Sequence, residues 1–373
     1  MIDTEWDNVK INLQAVKFYK VIHMTLEEIK IRQMTNQHLI IPADKLTVVH
    51  DLCGIQSQFM INVMHSLKIR CTDYDENTVG YGLVKNWTVR GTVHVFAEDD
   101  LPLFMHCNDG KDYRRNEWNG YTFWNQRDKW ALTPERQKYF SEVILTVLKN
   151  GPCTREELKE VCHINGMTEE EENSMFDPWG GGIRELCERG LMHYVVQEKK
   201  AFCLSPEFTP IPEKQAKLEL ARRYFTHMAP ATIHDAMYYF HVSATQVREW
   251  LSALPVEAEE CESKTYYYIE SANLYGGNIP RCIFLAGFDQ LMLAYDKKES
   301  LYLKPENMRG IFNLSGIVMP ALMLDGQVIG KWKKKNRKLS IELFSNLSMK
   351  EKALIKNKAE SLWSDISAID FAE

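Results

Sequence analysis

Apolar residues recur at helical spacing through the middle of the chain. Within residues 136–150 they stand on one helical face, at Phe140, Val143, Ile144, Val147 and Leu148. This spacing predicts an amphipathic helix, which Gly151-Pro152 ends, and Thr154 with Glu157 has the capping-box pattern that begins a second helix. A third helix over 181–192 and two short strands around a charged turn follow. The segment therefore predicts three helices and then a hairpin, the order of a winged helix.

The same design recurs on both sides of this segment. Residues 218–240 contain two helices joined by a turn at Ala229–Thr232, and a third helix and a strand follow. Near the N-terminus, a helix that Thr25 caps, a second over 44–54 and a third over 57–70 precede strand-like residues at 86–97. Such repetition predicts three tandem winged-helix modules, over residues 20–100, 130–208 and 213–272.

The last third of the chain changes to strand-like patterns. The segments RCIFLAGF, LMLAYD, SGIVMPALMLDGQVIGKW and KLSIELF alternate or run apolar, with a turn at Asp325-Gly326. They predict a small β-barrel or curled sheet over 278–346, and residues 348–366 predict a terminal amphipathic helix. The expected fold class is thus α+β, with three winged helices, a barrel and a final helix.

Composition narrows the functional classes. The chain has 373 residues and a net charge of −6, so the molecule as a whole is not a basic nucleic-acid coat and any phosphate binding must be local. Nine cysteines occur without a CxxC pair, which favours a reducing cytoplasm over a disulfide framework or a zinc ribbon. No apolar leader and no run of 18 apolar residues occurs. We expect a cytoplasmic protein without a membrane partner.

Two glutamines within DLCGIQSQFM are the first candidate site. On a regular helix Gln56 and Gln58 would point about 200° apart, but Gly54 just before them indicates that the helix has ended. In an extended segment the two amides could converge and hold a water molecule or a phosphate by hydrogen bonds. They could not act as a strong general base. The alternative is that both are ordinary polar residues that cap helix ends or face solvent.

A basic run is the second candidate. Residues 331–338 contain Lys331, Trp332, Lys333, Lys334, Lys335, Arg337 and Lys338. The cations could neutralise DNA phosphates and the indole could stack on a sugar or base, although a solvated strand explains the pattern equally well. His94, close to Arg90 and Thr92, is either a half-buried structural histidine or a functional one. No metal-spaced cluster, HExxH, GxSxG or Walker A motif is present, so we predict neither a metal nor an organic cofactor.

The chain resembles the tandem winged-helix DNA glycosylases of the AlkZ type. The matching stretches are LEEIKIRQMTNQHL, LCGIQSQ, VRGTVHVF, LAGFDQLMLAYDKK and MPALMLDGQVIGKW, in the family's order over almost the whole chain. The resemblance implies three winged helices and a C-terminal β-barrel. It also implies that the catalytic signature, glutamine, an apolar residue and glutamine, falls on Gln56-Ser57-Gln58. Serine replaces the apolar middle residue, and Gln58 separates this chain from a branch with aspartate there.

The resemblance implies a monofunctional, monomeric glycosylase that removes N7-alkylated purines, including bulky adducts or crosslinks, from double-stranded DNA. Because such a base is cationic and leaves easily, two amides need only hold the attacking water and stabilise an oxocarbenium-like sugar. Arg90, Thr92 and His94 would support the site, and Asp289 would brace the barrel against the first winged helix. A winged-helix transcriptional regulator without catalysis is the main alternative, and a protein-interaction scaffold is a third.

Overall fold

The computed structural model describes residues 24–88, 90–105, 131–177, 180–271 and 277–372. The first unit consists of α1 (Leu26–Asn36), α2 (Lys45–Asp51), β1 (Ile55–Gln56), α3 (Met60–Lys68), β2 (Leu83–Trp87), β3 (Val93–Ala97) and the short α4 (Leu101–Phe104). Thr25 begins α1 by a capping box with Glu28, as predicted. Three helices therefore precede the β2–β3 hairpin.

The third unit repeats this order, and the second does so with one additional helix, Glu169–Met175. The second contains α5 (Pro134–Leu148), β4 (Cys153–Thr154), α6 (Arg155–Ile164), α7 (Glu169–Met175), α8 (Gly181–Glu188), β5 (Met192–Tyr194) and β6 (Ala201–Leu204). The third contains α9 (Glu213–His227), α10 (Ile233–Phe240), α11 (Ala244–Ala253), β7 (Glu257–Cys261) and β8 (Lys264–Tyr268). The capping box of Thr154 and Glu157 is confirmed. The predicted limits at 20, 130 and 272 lie outside the described residues, so the domain boundaries stay predictions.

The first two units share one sheet. Lys85 of β2 pairs with Tyr194 of β5, which joins the two hairpins into a six-stranded sheet in the order β1-β3-β2-β5-β6-β4. The third unit packs on the first instead, because Val63 of α3 and Tyr224 of α9 belong to one continuous apolar core. The first unit is thus joined to the second through a shared sheet and to the third through a shared apolar core.

The C-terminal region is an open sheet covered on both faces. It contains β9 (Cys282–Phe284), α12 (Gln290–Leu293), α13 (Met308–Ile311), β10 (Ala321–Leu324), β11 (Gln327–Lys335), β12 (Lys338–Leu343), α14 (Met349–Leu362) and β13 (Ala368–Ala372). The strand order is β13-β12-β11-β10-β9, with β13 and β9 as edges within the described residues, so the structure does not contain the predicted closed barrel. The sheet need not close into a barrel, because both of its faces are covered. Ile355 of α14 packs on one face, and Met323 on the other face belongs to the apolar core that also contains Val63 and Tyr224.

Two further predictions in this region are wrong. The expected strand at 291–296 is α12 and the residues after it, because Asp289 caps a helix there by accepting a hydrogen bond from the Leu291 N–H. The predicted terminal helix is not the last element, since β13 follows α14 and pairs in parallel with β12. Among the described residues, no helix is long and apolar enough to cross a membrane.

Candidate active site

A sharp turn delivers the glutamine segment to the edge of the sheet. After α2 ends at Asp51, Cys53 and Gly54 both adopt positive φ, 52° and 82°. A Cβ on Gly54 would lie only 3.1 Å from the Val95 carbonyl oxygen, so the backbone approaches β3 more closely than other residues allow. The helix therefore ends before the glutamines, as predicted from Gly54, and the chain enters β1.

The two glutamines occupy different environments. Gln56 is 8% exposed and pairs with His94 across the antiparallel β1–β3 ladder, so their side chains project from the same face of the sheet. The Ser57 N–H continues the ladder by donating to the Val93 carbonyl oxygen at 2.8 Å. Gln58 follows in an exposed bend directly before α3. One amide is thus fixed in the sheet and the other faces solvent.

Ser57, between the two glutamines, points into the protein. It is 1% exposed, and its hydroxyl oxygen has no hydrogen-bond partner among the described residues. This burial gives a physical reason for the apolar residue expected at this position, since a buried hydroxyl without a partner is destabilising. The serine changes the packing below the glutamines and leaves both amides in place.

His94 is a buried, neutral histidine. Its Nδ1 lies 3.0 Å from the Thr92 carbonyl oxygen and 3.0 Å from the Thr88 hydroxyl oxygen. Because a carbonyl only accepts, Nδ1 carries the proton, and Nε2 is left without a partner among the described residues. Burial and then the charge of Arg90 lower the pKa of His94 to about 3. At neutral pH this imidazole is not an acid that could protonate a leaving base.

Arg90 points from the first unit towards the third. Its guanidinium carbon lies 4.4 Å from the ring centroid of Tyr239, and Nη1 lies 3.5 Å from Oε1 of Gln290. The amide nitrogen of Gln290 in turn donates to the Tyr239 hydroxyl at 3.2 Å. Residues of the first unit, the third unit and the C-terminal region therefore meet around this one arginine.

Asp289 joins the C-terminal region to the first unit. Its two carboxylate oxygens accept hydrogen bonds of 2.7 and 3.0 Å from the Arg70 guanidinium, and both side chains are 0% exposed. Arg70 lies just after α3 and also donates to the Gln37 carbonyl oxygen at 3.0 Å. The buried pair holds residues 287–289 against the helix that follows Gln58.

The basic run lies on β11, β12 and their turn. Lys331 and Lys334 form ion pairs with Glu342 (2.8 Å) and Asp365 (3.0 Å). The remaining cations are exposed: Lys333, Lys335, Arg337 and Lys338. Arg337 donates to the Asp365 backbone carbonyl at 2.9 Å. The other three have no ion-pair partner among the described residues, so they are the cations most available to phosphate.

Trp332 does not share that surface. It is 9% exposed, and its indole N–H donates to the Leu285 carbonyl oxygen at 2.9 Å. Its ring centroid lies 4.8 Å from that of His65 on α3. The expectation that this indole stacks on DNA is wrong, because strand alternation turns Trp332 inward while Lys331 and Lys333 face outward.

Three histidines surround Asp51, and no local sequence pattern indicates this cluster. His38 Nε2 lies 2.8 Å, His50 Nδ1 3.0 Å and His227 Nδ1 3.3 Å from the carboxylate. Burial raises the pKa of Asp51, but the hydrogen bonds from His38 and His50 prevail and hold it well below its usual range. Ligand atoms of His50, Asp51 and His227 lie within 4.8 Å of one another, a spacing that a metal ion would fit. Since histidines already satisfy both oxygens, the carboxylate needs no ion.

Comparisons with known proteins agree with this arrangement. The sequence profile described as "DNA glycosylase AlkZ-like" matches residues 49–363. The chain belongs to the AlkZ-like DNA glycosylase family. The enzyme is therefore a DNA glycosylase, and the matched range begins just before the glutamine segment and ends just after α14.

A sequence match and a solved structure, both from Streptomyces sahachiroi, support the family assignment. A protein named "Interstrand DNA cross-link repair glycosylase" is 23% identical over 321 residues, covering 80% of this chain and 84% of its own. The solved structure of the DNA glycosylase AlkZ from that organism superposes with a TM-score of 0.72 at 20% identity, over 94% of this chain and all of its own. The fold of this AlkZ-like glycosylase is thus similar to that of AlkZ along nearly its entire length.

Proposed function

We propose that this glycosylase is monofunctional and hydrolyses the N-glycosidic bond of N7-alkylated purines in double-stranded DNA, with bulky adducts or interstrand crosslinks among its substrates. The observation that carries the proposal is the placement of Gln56 and Gln58. The Gln56 side chain is buried in the sheet beside His94, and Gln58 is exposed two residues further along the chain. The name of the S. sahachiroi relative, a crosslink-repair glycosylase, supports the wider substrate range.

The proposed chemistry needs orientation more than acid catalysis. An N7-alkylated purine carries a positive charge, so its bond to C1′ breaks with little help from a proton donor. The glutamine amides accept hydrogen bonds from a water molecule and orient its lone pair towards C1′. Their carbonyl dipoles also favour the developing oxocarbenium ion. The neutral His94 suits this scheme, because an imidazolium beside the site would oppose that positive charge.

The proposed DNA contacts are local. Three units with winged-helix element order would present one side of the molecule to the duplex, with Lys333, Lys335 and Lys338 neutralising phosphates on the β11–β12 hairpin. Arg90 and Thr92 would support the turn that carries His94. A monomer is sufficient for this scheme, since both glutamines and the basic hairpin come from one chain.

The test is base release under single-turnover conditions from duplexes that carry one N7-methylguanine, one bulky N7-alkyl adduct or one N7–N7 crosslink. We expect free base and an intact abasic strand that breaks only after alkali. Borohydride should trap no covalent enzyme–DNA adduct. Salt-dependent duplex binding without release from any substrate would favour a winged-helix regulator instead. Absence of DNA binding at low salt would favour a protein-interaction scaffold.

A further inference from the structure

An aromatic ring stands next to the glutamine pair, at a position where a helix would ordinarily have a polar residue. Phe59 directly follows Gln58 and is the N-cap of α3, yet it makes no side-chain capping hydrogen bond and its ring is 44% exposed. Other helices begin with a hydroxyl that does cap, at Thr25, Thr133, Thr154, Thr168, Thr232, Ser243 and Ser348. An apolar side chain cannot form that hydrogen bond, so Phe59 does not stabilise α3 as an N-cap.

The ring of Phe59 has a rigid backing. It stacks on Phe288 with ring centroids 6.3 Å apart and planes inclined by 28°. Phe288 is only 4% exposed and its N–H donates to the Val318 carbonyl oxygen at 3.1 Å. The next residue, Asp289, is fixed by its buried pair with Arg70. One face of Phe59 is therefore held in place while part of the ring faces solvent.

The first turn of α3 packs against the residue that precedes Phe288. A Cβ on Gly287 would lie 2.9 Å from the Asn62 amide nitrogen, so the backbone before Phe288 lies directly against α3. Gln58 and Phe59 are consecutive exposed residues immediately before α3. A DNA strand that contacts Gln58 would therefore pass next to the residue that carries this ring.

We propose that Phe59 is a specificity-determining residue whose ring face stacks on the positively charged base of an N7-alkylated purine. This inference rests on the proposed function and defines how the same site selects its substrate. Aromatic faces carry negative electrostatic potential and attract cations, whereas every nucleobase can stack on them. Stacking alone would accept any purine. The added cation–π attraction distinguishes an alkylated purine from a normal one of similar shape.

The test compares two duplexes that differ in charge and little in shape. One carries N7-methylguanine, which is cationic, and the other carries 7-deaza-7-methylguanine, which is neutral. Binding is measured in the Gln56→Ala/Gln58→Ala background, in which release of the cationic base is slowed, and each duplex is checked for intact base after the measurement. We expect the background protein to prefer the cationic duplex by between about 2-fold and 30-fold. Phe59→Leu should abolish that preference and Phe59→Trp should retain it.

A matched control separates the site from general effects of losing an aromatic ring. Tyr139 on α5 has a similar exposure, 42%, and its ring also packs on a buried aromatic residue, Phe140, although edge-to-face at a centroid distance of 5.1 Å. Tyr139→Leu should keep the full charge preference. Thermal unfolding of Phe59→Leu, Phe59→Trp and Tyr139→Leu verifies that each variant is folded before binding is compared.

Three results would overturn the inference: no charge preference in the background protein, a preference that survives Phe59→Leu, or equal weakening of both duplexes by Phe59→Leu. Base release is scored separately, with the wild-type enzyme on N7-methylguanine DNA. A wild type that releases no base would refute the proposed function while the binding ratio still decides the role of Phe59. A wild type that releases base while Phe59→Leu keeps the preference would refute only the role of Phe59.

Discussion

The buried pair of Arg70 and Asp289 should be among the most sensitive points of the structure. Replacing Arg70 by methionine keeps most of the side-chain volume but leaves the Asp289 carboxylate buried without its counter-ion. The two hydrogen bonds of 2.7 and 3.0 Å would be lost, together with the donor to the Gln37 carbonyl. Removal of one partner from a buried ion pair costs about 3–5 kcal/mol, so we expect Arg70→Met to lower the free energy of unfolding by at least that amount.

An exposed pair of the same geometry provides the comparison. Arg281 and Asp325 also form two hydrogen bonds, of 2.9 and 3.1 Å, but their side chains are 62% and 55% exposed. Solvent screens such a pair, and Arg281→Met should cost less than about 1 kcal/mol. The assay is urea unfolding followed by tryptophan fluorescence, with the slope checked for each variant.

Removing both charges of the buried pair should restore part of the lost free energy of unfolding. Asp289→Asn retains an oxygen that can accept the Leu291 N–H and cap α12, so Arg70→Met/Asp289→Asn should be more stable than Arg70→Met alone. A loss in Arg70→Met no larger than in Arg281→Met would refute the assignment of Asp289 as the main anchor of the C-terminal region. Equal stability of the single and double variants would refute the charge argument specifically.

Three further predictions concern the site and its surroundings. Ser57→Ala removes a buried hydroxyl without a partner among the described residues and should raise the free energy of unfolding by about 1 kcal/mol, with base release within about threefold of wild type. Burial lowers the pKa of His65, His193 and His227 to about 4, below the unfolded value of 6.5. Between these two pH values the unfolded chain binds more protons than the folded one, so the free energy of unfolding should be full above pH 6.5 and should decrease as the pH falls to about 4. The decrease should be up to about 1.4 kcal/mol per pH unit for each histidine. Unfolding that is flat over that window would contradict this. Neutralising Lys333, Lys335 and Lys338 to glutamine should weaken duplex binding and reduce the slope of log affinity against log salt by about 3, whereas Lys350→Gln on α14 should leave the slope unchanged.

Local signals along the chain predict much of this fold. The capping boxes at Thr25 and Thr154 follow from residue type and spacing alone. Gly54 marks the end of a helix because glycine adopts its positive φ without strain and leaves room for the close approach to β3. These features depend on neighbours within a few positions, so the sequence displays them directly.

Features that depend on distant packing are not visible in the sequence. His227 reaches Asp51 only because the third unit packs on the first, and no local pattern encodes that contact. The run at 291–296 is apolar enough for a strand, but tertiary contacts and the Asp289 cap make its beginning helical. Trp332 could have been assigned to the interior, because the lysines at 331, 333 and 335 alternate with it along the strand and share the opposite face.

The central claim is that Gln56 and Gln58 orient the water that releases the base. The most direct measurement is the single-turnover rate of N7-methylguanine release by wild type, Gln56→Ala, Gln58→Ala and the double variant. Gln246→Ala on α11, where the glutamine is half-buried and donates to Glu249, is the control. We predict that each single variant loses at least about tenfold in rate (1.4 kcal/mol) while lesion binding is retained, and that Gln246→Ala is unchanged. Release at the wild-type rate by the double variant would contradict the account and make both glutamines structural.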